Sequence, residues 1–388
     1  MFQSMRQWFS DLFAPIRMLP AGNYSYQSPA DSEVPYRLHL RLLPNGNATL
    51  IVNAHTVLHL NQTAAEYAYH WINGTPEADM SRIIEKRYAI NWIEALKEYR
   101  AFKDRVLEMV HTPDLDPEAF LGFDRSQLYS GDEQAPIRLD AALTYRTSSE
   151  SSPNLAPNDR VKRELLTEEW YQIMDKAWQA GIPHIVFTGG EPTLRPDLPD
   201  LVAYAEKLGM VAGVITDGLR LTNSEYFHSL LQAGLDHLMI VLDPGEDQAW
   251  EAVNDVLPED IFLNVHCTLT EHNASNFIAV LKRLADKGVR SFSLSTTSHE
   301  LQDQLKAAAD YITSRGLSLV WDLPVPYSPL HPVALEIAEH EQPPSGAGNA
   351  WLYIEPDGDV LPAQGVLTVM GNLLTDPWET IWANRPKG

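Results

Sequence analysis

The chain is organised around the stretch His184-Ile-Val-Phe-Thr-Gly-Gly-Glu-Pro-Thr-Leu-Arg-Pro-Asp-Leu198. Apolar and β-favouring residues lead directly into Gly189-Gly190, which Glu191 and Pro192 follow. Paired glycines at the end of a buried strand let the backbone approach a ligand closely. An ordinary tight turn would also explain Gly-Gly-Glu-Pro taken alone. The helical pattern over residues 166–181 and the strand–helix alternation after the glycines favour the ligand site.

Strand and helix patterns alternate along most of the C-terminal half of the chain. The predicted strands cover residues 137–145, 184–188, 212–216, 237–242, 262–269, 291–296 and 317–322. Helical patterns lie between them, at residues 166–180, 198–209, 223–233, 247–256, 274–288 and 299–315. This repetition implies right-handed parallel crossovers and predicts an α/β fold with an open or closed barrel. Functional residues are expected at the carboxyl ends of such strands, which here carry Glu191, Thr216-Asp217, Asp243 and Asn273.

Residues 36–110 show the pattern of a separate small module. Leucines alternate with other residues from position 38 to 42, and Asn45-Gly46 is typical of a hairpin turn. A further short strand over residues 57–60 leads to Asn61, a favourable helix N-cap. Helical patterns follow, so this part of the chain is predicted to form a compact domain of strands and helices.

Charge and composition exclude several classes of function. The 29 Lys and Arg against 52 Asp and Glu leave a formal net charge of −23, which disfavours nucleic acid as the main partner. The sequence has no apolar run long enough for a transmembrane helix, and no signal-peptide pattern. Cys267 is the only cysteine, which rules out an intramolecular disulfide and predicts a cytoplasmic protein.

Two segments are predicted to lie outside the compact domains. Residues 1–35 combine an N-terminal amphipathic helix, with apolar side chains at helical spacing over residues 2–16, and a linker rich in Ser, Pro and Tyr. The apolar face of this helix either packs on its own protein or docks on a partner or a membrane surface. Residues 111–136 are acidic and contain proline, and we interpret them as a solvated linker.

The motif at residues 188–192, followed by Leu194-Arg-Pro-Asp-Leu198, resembles the second-strand motif of the radical S-adenosylmethionine (SAM) enzyme family. This resemblance implies a partial (β/α)6-type, TIM-like barrel over residues 137–325. In that family the backbone and the Glu side chain of the motif contact the methionine amino group of SAM. On this chain the resemblance implies a SAM site formed by Gly189, Gly190, Glu191, Pro192, Thr216, Asp217, Asp243 and Asn273.

The N-terminal module resembles a domain that accompanies the peptide-modifying branch of this family. The sequence Val57-Leu-His-Leu-Asn-Gln-Thr-Ala-Ala-Glu66, continued through Asn73-Gly74, is similar to the PqqD-like winged helix-turn-helix fold and implies that domain over residues 36–110. In that family a peptide adds as an extra strand, which makes Val57, Leu58, His59 and Leu60 the candidate peptide-binding edge. A packing or regulatory domain that binds no peptide is the alternative.

Residues 326–388 resemble the SPASM-type extension that ends many proteins of this branch. The similarity lies in Tyr353-Ile-Glu-Pro-Asp-Gly-Asp-Val360, in Gly371-Asn-Leu373 and in Trp378-Glu-Thr-Ile-Trp382. SPASM domains usually carry cysteines that hold auxiliary clusters. This chain has Ser345 and Ala363 in that region instead, so we expect no auxiliary cluster.

The chain also departs from the family at the main iron site. The family's first strand ends in a Cys-x3-Cys-x2-Cys loop, whose thiolates hold a [4Fe–4S] cluster, and the corresponding positions here are Thr147, Ser151 and Asn154. Hydroxyl and amide groups are poor substitutes for thiolates, and Cys267 supplies at most one ligand. We therefore expect no iron–sulfur cluster, with SAM as the remaining candidate cofactor. Near that site, Asp217 replaces an Asn that is usual in the family.

Three interpretations of function follow from these residues. The missing ligands favour a cluster-free pseudoenzyme with the radical SAM fold that acts in binding or assembly of a peptide or protein partner. The second interpretation is an enzyme of peptide modification that uses SAM in non-radical chemistry, with Glu191, Asp217 and Asp243 as candidate acid/base groups. The third is a structural subunit of a larger complex. The histidines are scattered without metal-ligand spacing, so no metal site is predicted.

Overall fold

The computed structural model describes residues 18–29, 31–54, 56–88, 90–111, 134–148, 155–320, 323–335 and 346–386. The chain divides into two compact units, Met1–Gln127 and Leu128–Gly388. This division falls inside the segment 111–136, which the sequence indicates as a linker. Within the ranges given above, no helix is both long and apolar enough to cross a membrane. The predicted amphipathic helix, residues 2–16, lies outside the described residues.

The described residues of the N-terminal unit form an antiparallel sheet and three helices. The strands are β1 (Gly22–Gln27), β2 (Arg37–Leu42), β3 (Ala48–Val52) and β4 (Thr56–Leu60), and each pairs with the next. The helices are α1 (Gln62–Ile72), α2 (Glu77–Arg87) and α3 (Trp92–His111). The interpretation of residues up to 35 as helix and linker alone is wrong for β1. This strand pairs with β2 along its whole length, from Gly22 opposite Leu42 to Gln27 opposite Arg37.

Local sequence explains why this module folds as it does. The alternating leucines at positions 38 and 40 are fully buried, together with Leu50 of β3, in the core between the sheet and the helices. Asn61 is the N-cap of α1, and its side chain accepts a hydrogen bond from the backbone N–H of Ala64 at 3.0 Å. The edge strands of the sheet are β1 and β4. Among the described residues, no strand pairs with the outer edge of β4.

In the C-terminal unit, the described residues form a mixed sheet of ten strands. Seven neighbouring strands run parallel, namely β5 (Arg138–Thr144), β6 (His184–Gly189), β7 (Val211–Thr216), β8 (His237–Leu242), β9 (Phe262–Leu269), β10 (Ser291–Thr296) and β11 (Ser318–Leu319). Helices alternate with them as α4 (Thr167–Gln179), α5 (Leu198–Leu208), α6 (Ser224–Gln232), α7 (Asp247–Val256), α8 (Phe277–Lys287) and α9 (Gln302–Ser314). The predicted α/β class is confirmed. The predicted strand 317–322 is shorter, since β11 covers two residues.

The two faces of the parallel strands have different neighbours. Alternate residues such as Leu139, Ile185 and Val265 belong to the core cluster that also contains residues of α4 to α9. The intervening residues point to the opposite side, which we call the inner face. On the inner face, Gly213 of β7 lies directly under His237, and a Cβ at that position would overlap the imidazole ring.

The C-terminal segment extends the same sheet. Strand β12 (Trp351–Ile354) pairs in parallel with β5, and β13 (Asp359–Leu361) and β14 (Gly371–Asn372) continue antiparallel before the short helix α10 (Trp378–Ala383). Lys176 of α4 binds this extension, because its Nζ donates to the carbonyl oxygens of Leu373 at 2.6 Å and Asp376 at 2.7 Å. The extension is therefore part of the C-terminal unit rather than a separate body.

Candidate functional site

The turn after β6 packs tightly against the end of β5. The N–H of Gly190 donates to the carbonyl of Thr144 at 2.8 Å, and the N–H of Glu191 donates to that of Arg146 at 2.7 Å. A Cβ on Gly189 or Gly190 would overlap those same carbonyl oxygens. Gly189 also has a φ of +129°, which side-chain-bearing residues rarely adopt. The glycines are thus required by the packing itself, and they deliver Glu191 to the carboxyl end of the strand.

Four hydrogen bonds hold the buried Glu191 carboxyl group in one orientation. Its Oε1 accepts the N–H of Thr193 at 2.9 Å, the hydroxyl of Thr193 at 2.6 Å and the hydroxyl of Thr216 at 2.7 Å. Its Oε2 accepts the N–H of Asp217 at 2.8 Å. Residues from the ends of β6 and β7 therefore converge on a single carboxyl group, as expected for neighbouring parallel strands.

The same carboxyl group has an unusual proton affinity. Burial, and after it the neighbouring Asp217 carboxylate, raise the pKa of Glu191 to about 8, despite the hydrogen bonds from Thr193, Thr216 and the Asp217 backbone. Asp217 is only partly buried, and its Oδ1 accepts the N–H of Leu219 at 3.0 Å. A buried carboxyl group with a raised pKa, next to a more exposed carboxyl group, is a suitable arrangement for acid/base chemistry.

Thr188 adds a second polar group beside this network. It lies one residue before Gly189, on the inner face, and its side chain is buried. Its Oγ1 has no hydrogen-bond partner within the part of the chain that the structure describes. A buried hydroxyl is rarely left without a partner unless water or a ligand binds it, so Thr188 is a candidate ligand-binding residue.

Two of the predicted SAM-site residues lie apart from this network. Asp243 is exposed, and its Oδ1 accepts the N–H of Gly245 at 2.9 Å in a tight turn after β8. Asn273 closes the loop after β9, since its Oδ1 accepts the N–H of Thr270 at 2.8 Å and its Nδ2 donates to the carbonyl of Thr268 at 2.9 Å. Both side chains thus stabilise their own loops. A contact of either residue with SAM remains a prediction.

The residues present do not fit a cysteine-ligated iron–sulfur cluster. Thr147 lies in the described loop after β5, whereas Ser151 and Asn154 lie outside the described residues. Cys267 is buried in the core on the helix side of β9, and burial raises the pKa of its thiol to about 12, which disfavours the thiolate that iron requires. The described residues contain no group of three or more His, Cys, Asp or Glu placed to hold a metal ion.

Apolar side chains occupy the part of the C-terminal extension in which the sequence predicts no auxiliary cluster. Ala347, Ala350, Trp351 and Ala363 are buried together in a small cluster, and the guanidinium of Arg138 lies 5.2 Å from the Trp351 ring centroid. Ser345 lies outside the described residues. An alanine-lined interior offers an iron ion no ligand, so this part of the C-terminal extension is suited to packing.

Some residues at the site were not singled out by the sequence. Thr193 contributes two of the four hydrogen bonds to Glu191, and its position two residues after an acidic cap is the only local signal that could have indicated it. Tyr327 was also missed. Its N–H donates to the carbonyl of Gly189 at 3.0 Å, although it lies far away in the sequence. Only the folded chain brings these residues together.

Comparison with known proteins identifies the relatives of this chain. Residues 145–312 match the family model of the Radical SAM superfamily, so the C-terminal unit contains a radical SAM domain. A PqqA peptide cyclase from Streptomyces rochei is 28% identical over 281 residues, which are 64% of this chain and 76% of that protein. Another PqqA peptide cyclase, from Granulibacter bethesdensis, is 38% identical over 109 residues, 28% of this chain and 29% of that protein.

Solved structures show the same fold. SuiB from Streptococcus suis, bound to S-adenosylmethionine, has a TM-score of 0.57 at 16% identity and covers 92% of this chain and 88% of its own. SuiB bound to the precursor peptide SuiA has a TM-score of 0.55 at 15% identity, with coverages of 88% and 86%. At this identity the likeness concerns the fold alone.

The comparisons overturn the pseudoenzyme interpretation. The two relatives described above are named as peptide cyclases, which are enzymes. The expectation of a pseudoenzyme was based on the missing cysteines. A chain that lacks the ligands of an iron–sulfur cluster can still catalyse a reaction that needs no cluster. The prediction of a non-catalytic binding or assembly protein is therefore wrong.

Proposed function

We propose that this chain is a SAM-dependent enzyme that modifies a peptide, and that its chemistry is polar rather than radical. The observation that carries the proposal is the Glu191 network, in which a buried carboxyl group with a raised pKa lies beside Asp217 at the ends of β6 and β7. The homology to peptide cyclases and the radical SAM domain support SAM and a peptide as the reactants.

The residues at the end of β6 fit the polar part of SAM. The hydroxyl of Thr188 and Oε2 of Glu191 are oxygen atoms that can accept hydrogen bonds from an ammonium group, and the glycines leave no side chain in the way. When bound, SAM supplies a sulfonium-activated alkyl group, whose transfer to a nucleophile needs no electron donor. Thr188, Glu191 and Asp217 are thus the residues that we propose hold and orient SAM.

Proton transfer is the task that we assign to the acidic pair. A peptide N–H or O–H group that attacks an alkyl carbon must lose its proton. The partly exposed Asp217 carboxylate can accept that proton, while the protonated Glu191 holds the Asp217 backbone in place through its Oε2. Burial and repulsion from Asp217 favour the protonated form of Glu191. Asp217 therefore serves as the proton acceptor, and Glu191 serves to position it.

A radical route does not fit the side chains of this chain. Radical cleavage of SAM needs an electron from a reduced cluster, and the chain's single thiol is buried in the core of β9 with a raised pKa. We therefore propose that no cysteine-ligated cluster is bound, and we derive no step through one.

The N-terminal unit provides the proposed peptide-binding edge. Strand β4, which carries Val57, Leu58, His59 and Leu60, is an edge strand without a strand partner on its outer side among the described residues. An extended peptide can add to such an edge through main-chain hydrogen bonds. Buried Leu58 and Leu60 anchor the strand in the core, while Val57 and His59 remain partly exposed. A cytoplasmic location and docking through residues 2–16 stay predictions.

Titration calorimetry with SAM tests the cofactor part of this proposal. We expect saturable binding that is lost in Glu191→Ala and reduced in Glu191→Gln, with Glu225→Ala, an exposed acidic residue at the start of α6, as the matched control. Thermal melts of all variants establish that each is folded. No detectable binding by the folded wild-type chain would refute the SAM site.

Product analysis distinguishes polar from radical chemistry. The chain is incubated with SAM and a peptide library, with and without dithionite, and the products are separated by mass spectrometry. We expect alkylated peptide together with S-adenosylhomocysteine in both conditions. Formation of 5′-deoxyadenosine that depends on dithionite would contradict the polar mechanism while leaving the SAM site in place.

A further inference from the structure

An apolar patch lies on the inner face of the sheet, next to the proposed SAM site. It consists of Val186 of β6, Ile215 of β7, and Met239 and Val241 of β8, which are all buried. We call these four residues the inner apolar patch. Val186 precedes the unpartnered Thr188 by two residues, and Ile215 precedes Asp217 by two, so the patch lies near the carboxyl ends of β6 and β7. The helices α4 to α9 pack on the opposite face and do not cover it.

The side chain that covers the patch comes from a distant part of the chain. Leu323 packs against the inner apolar patch and is itself only partly buried. It begins residues 323–333, a segment between the end of the parallel strands and the C-terminal extension that we call the strap. The strap forms neither helix nor strand over residues 324–327, where Pro324 and Pro326 favour an extended backbone.

The strap is anchored at its middle and end rather than at Leu323. Tyr327 is buried, donates its N–H to the carbonyl of Gly189 at 3.0 Å, and packs edge-on against the Tyr145 ring at 5.3 Å. The carbonyl of Val325 accepts from Nε2 of Gln364 at 2.8 Å. Leu323 and Pro324 are only partly buried and precede both anchors, so this end of the strap can leave the patch while Val325 and Tyr327 stay in place.

These contacts are the ones that a bound peptide would make. An extended backbone crosses the carboxyl end of β6, places one backbone N–H on Gly189, and inserts one aliphatic side chain among the inner-face residues. The four side chains of the patch are apolar and favour an aliphatic group, while Asn264 and His266 of β9 lie beside Met239 and Val241 at the edge of the patch. Removal of Leu323 alone would leave the patch exposed to water, whereas exchange for another aliphatic side chain preserves the apolar contacts.

We propose that the inner apolar patch is the subsite for an aliphatic side chain of the peptide substrate, and that Leu323 occupies this subsite in the free protein. The inference rests on the proposed function only in taking a peptide as the substrate. The substrate residue displaces Leu323, which places the neighbouring peptide groups beside Thr188 and the Glu191–Asp217 pair. The strap thus mimics the bound substrate, and an aliphatic residue of the peptide determines substrate specificity.

The methyl group of Met239 provides a direct readout. The full chain is labelled with methyl-13C methionine, and the Met239 signal is assigned with Met239→Leu. The probe is the capped tetrapeptide acetyl-Leu-Pro-Val-Pro-amide, which repeats residues 323–326, and the control probe carries Asn in place of Leu. Leu323→Ala and Leu323→Asn empty the subsite. Leu305→Ala, which truncates a partly buried leucine on the helix side, is the matched control variant.

We expect the leucine probe to bind Leu323→Ala roughly tenfold or more tightly than it binds the wild type or Leu305→Ala. Bound probe should return the Met239 methyl signal towards its wild-type position, and the Asn probe should not. Equal shifts with both probes, or no saturable shift in either folded Leu323 variant, would mean that Leu323 is an ordinary packing residue and would overturn the proposal. The titration contains no SAM, so failure of the SAM site leaves its outcome unaffected.

Discussion

Oε2 of Glu191 lies 2.8 Å from the backbone N of Asp217, and this contact joins two acidic residues at neighbouring strand ends. Backbone hydrogen bonds hold the glycine turn before Glu191 against β5, and four further hydrogen bonds hold the Glu191 carboxyl group beside Asp217. The fold therefore keeps together two acidic groups whose charges repel each other. Burial, and after it the repulsion from Asp217, disfavours the charged form of Glu191, which is why its pKa is raised.

The first prediction concerns the pH dependence of stability. The pKa of Glu191 is about 8 in the folded chain against an ordinary value of 4.5, so the folded state binds this proton more tightly. The stabilisation is complete below about pH 4.5 and is lost as the pH rises through 8. Relative to Glu191→Gln, which does not titrate, the wild type should lose on the order of 3 kcal/mol between pH 5 and pH 8. Urea denaturation at each pH measures the difference in unfolding free energy between the wild type and Glu191→Gln. A constant difference across this range would contradict the raised pKa.

Asp217→Asn should lower the pKa of Glu191. The substitution removes the neighbouring negative charge but keeps an oxygen that can accept the Leu219 N–H. Because burial is the larger cause, the pKa of Glu191 should fall only part of the way to 4.5. Carbon-13 NMR of the labelled Glu191 carboxyl group follows the titration in both proteins, and Asp247→Asn, at the exposed start of α7, is the control. An unchanged midpoint would mean that the negative charge of the Asp217 side chain does not affect the pKa of Glu191.

Gly213→Ala should destabilise the C-terminal unit by about 1–3 kcal/mol, since the added Cβ would overlap the His237 ring. That ring is also held by His184, with 2.7 Å between the two Nε2 atoms, so it cannot easily move. The double variant Gly213→Ala/His237→Ala removes the overlap. A double-mutant cycle in urea should therefore show strong coupling. Additive changes in unfolding free energy would indicate that the backbone shifts and that the added Cβ does not press on the His237 ring.

Lys176→Met should weaken the attachment of the C-terminal extension. The Nζ of Lys176 donates to three carbonyl oxygens, those of Leu373, Leu374 and Asp376, which a methionine would leave without this donor. We expect a loss of about 2 kcal/mol in unfolding free energy and faster hydrogen exchange after residue 370. Lys306→Met, at an exposed position of α9, serves as the control and should have little effect.

Anaerobic reconstitution with iron and sulfide should yield no [4Fe–4S] cluster on the wild-type chain, because one buried thiol cannot ligate it. The matched control is the triple variant Thr147→Cys/Ser151→Cys/Asn154→Cys, which restores three thiols at the corresponding positions. Iron analysis and the visible absorption spectrum follow the reaction. Stoichiometric iron and sulfide on the wild type would contradict the polar mechanism, since an electron donor would then be available.

Local patterns were sufficient for much of the fold. The apolar strands, the helical periodicity between them and the N-cap at Asn61 each depend on residues close together in the sequence, and the structure places these elements where they were predicted. The position of Glu191 at the end of β6 followed in the same way. Strand β1 did not, because the sequence Gly22–Gln27 is polar and becomes a strand only by pairing with β2.

The functional interpretation failed for a different reason. The absence of cysteines indicates that the side chains cannot ligate an iron–sulfur cluster. It gives no information about acid/base catalysis by other residues at the strand ends. The pairing of Glu191 with Asp217 depends on the distance between two strands that are joined through a helix. The distance between these two strands cannot be predicted from local sequence patterns.

By itself the sequence determined the α/β class, the order of strands and helices, the glycine turn that presents Glu191 and the lack of thiols for a cluster, since each depends on residue type and short-range spacing. Only the tertiary structure decided that Thr193 and Thr216 orient Glu191, that burial beside Asp217 raises its pKa, and that Leu323 covers the inner apolar patch. These properties arise from desolvation and from contacts between distant segments, which exist only after the chain has folded.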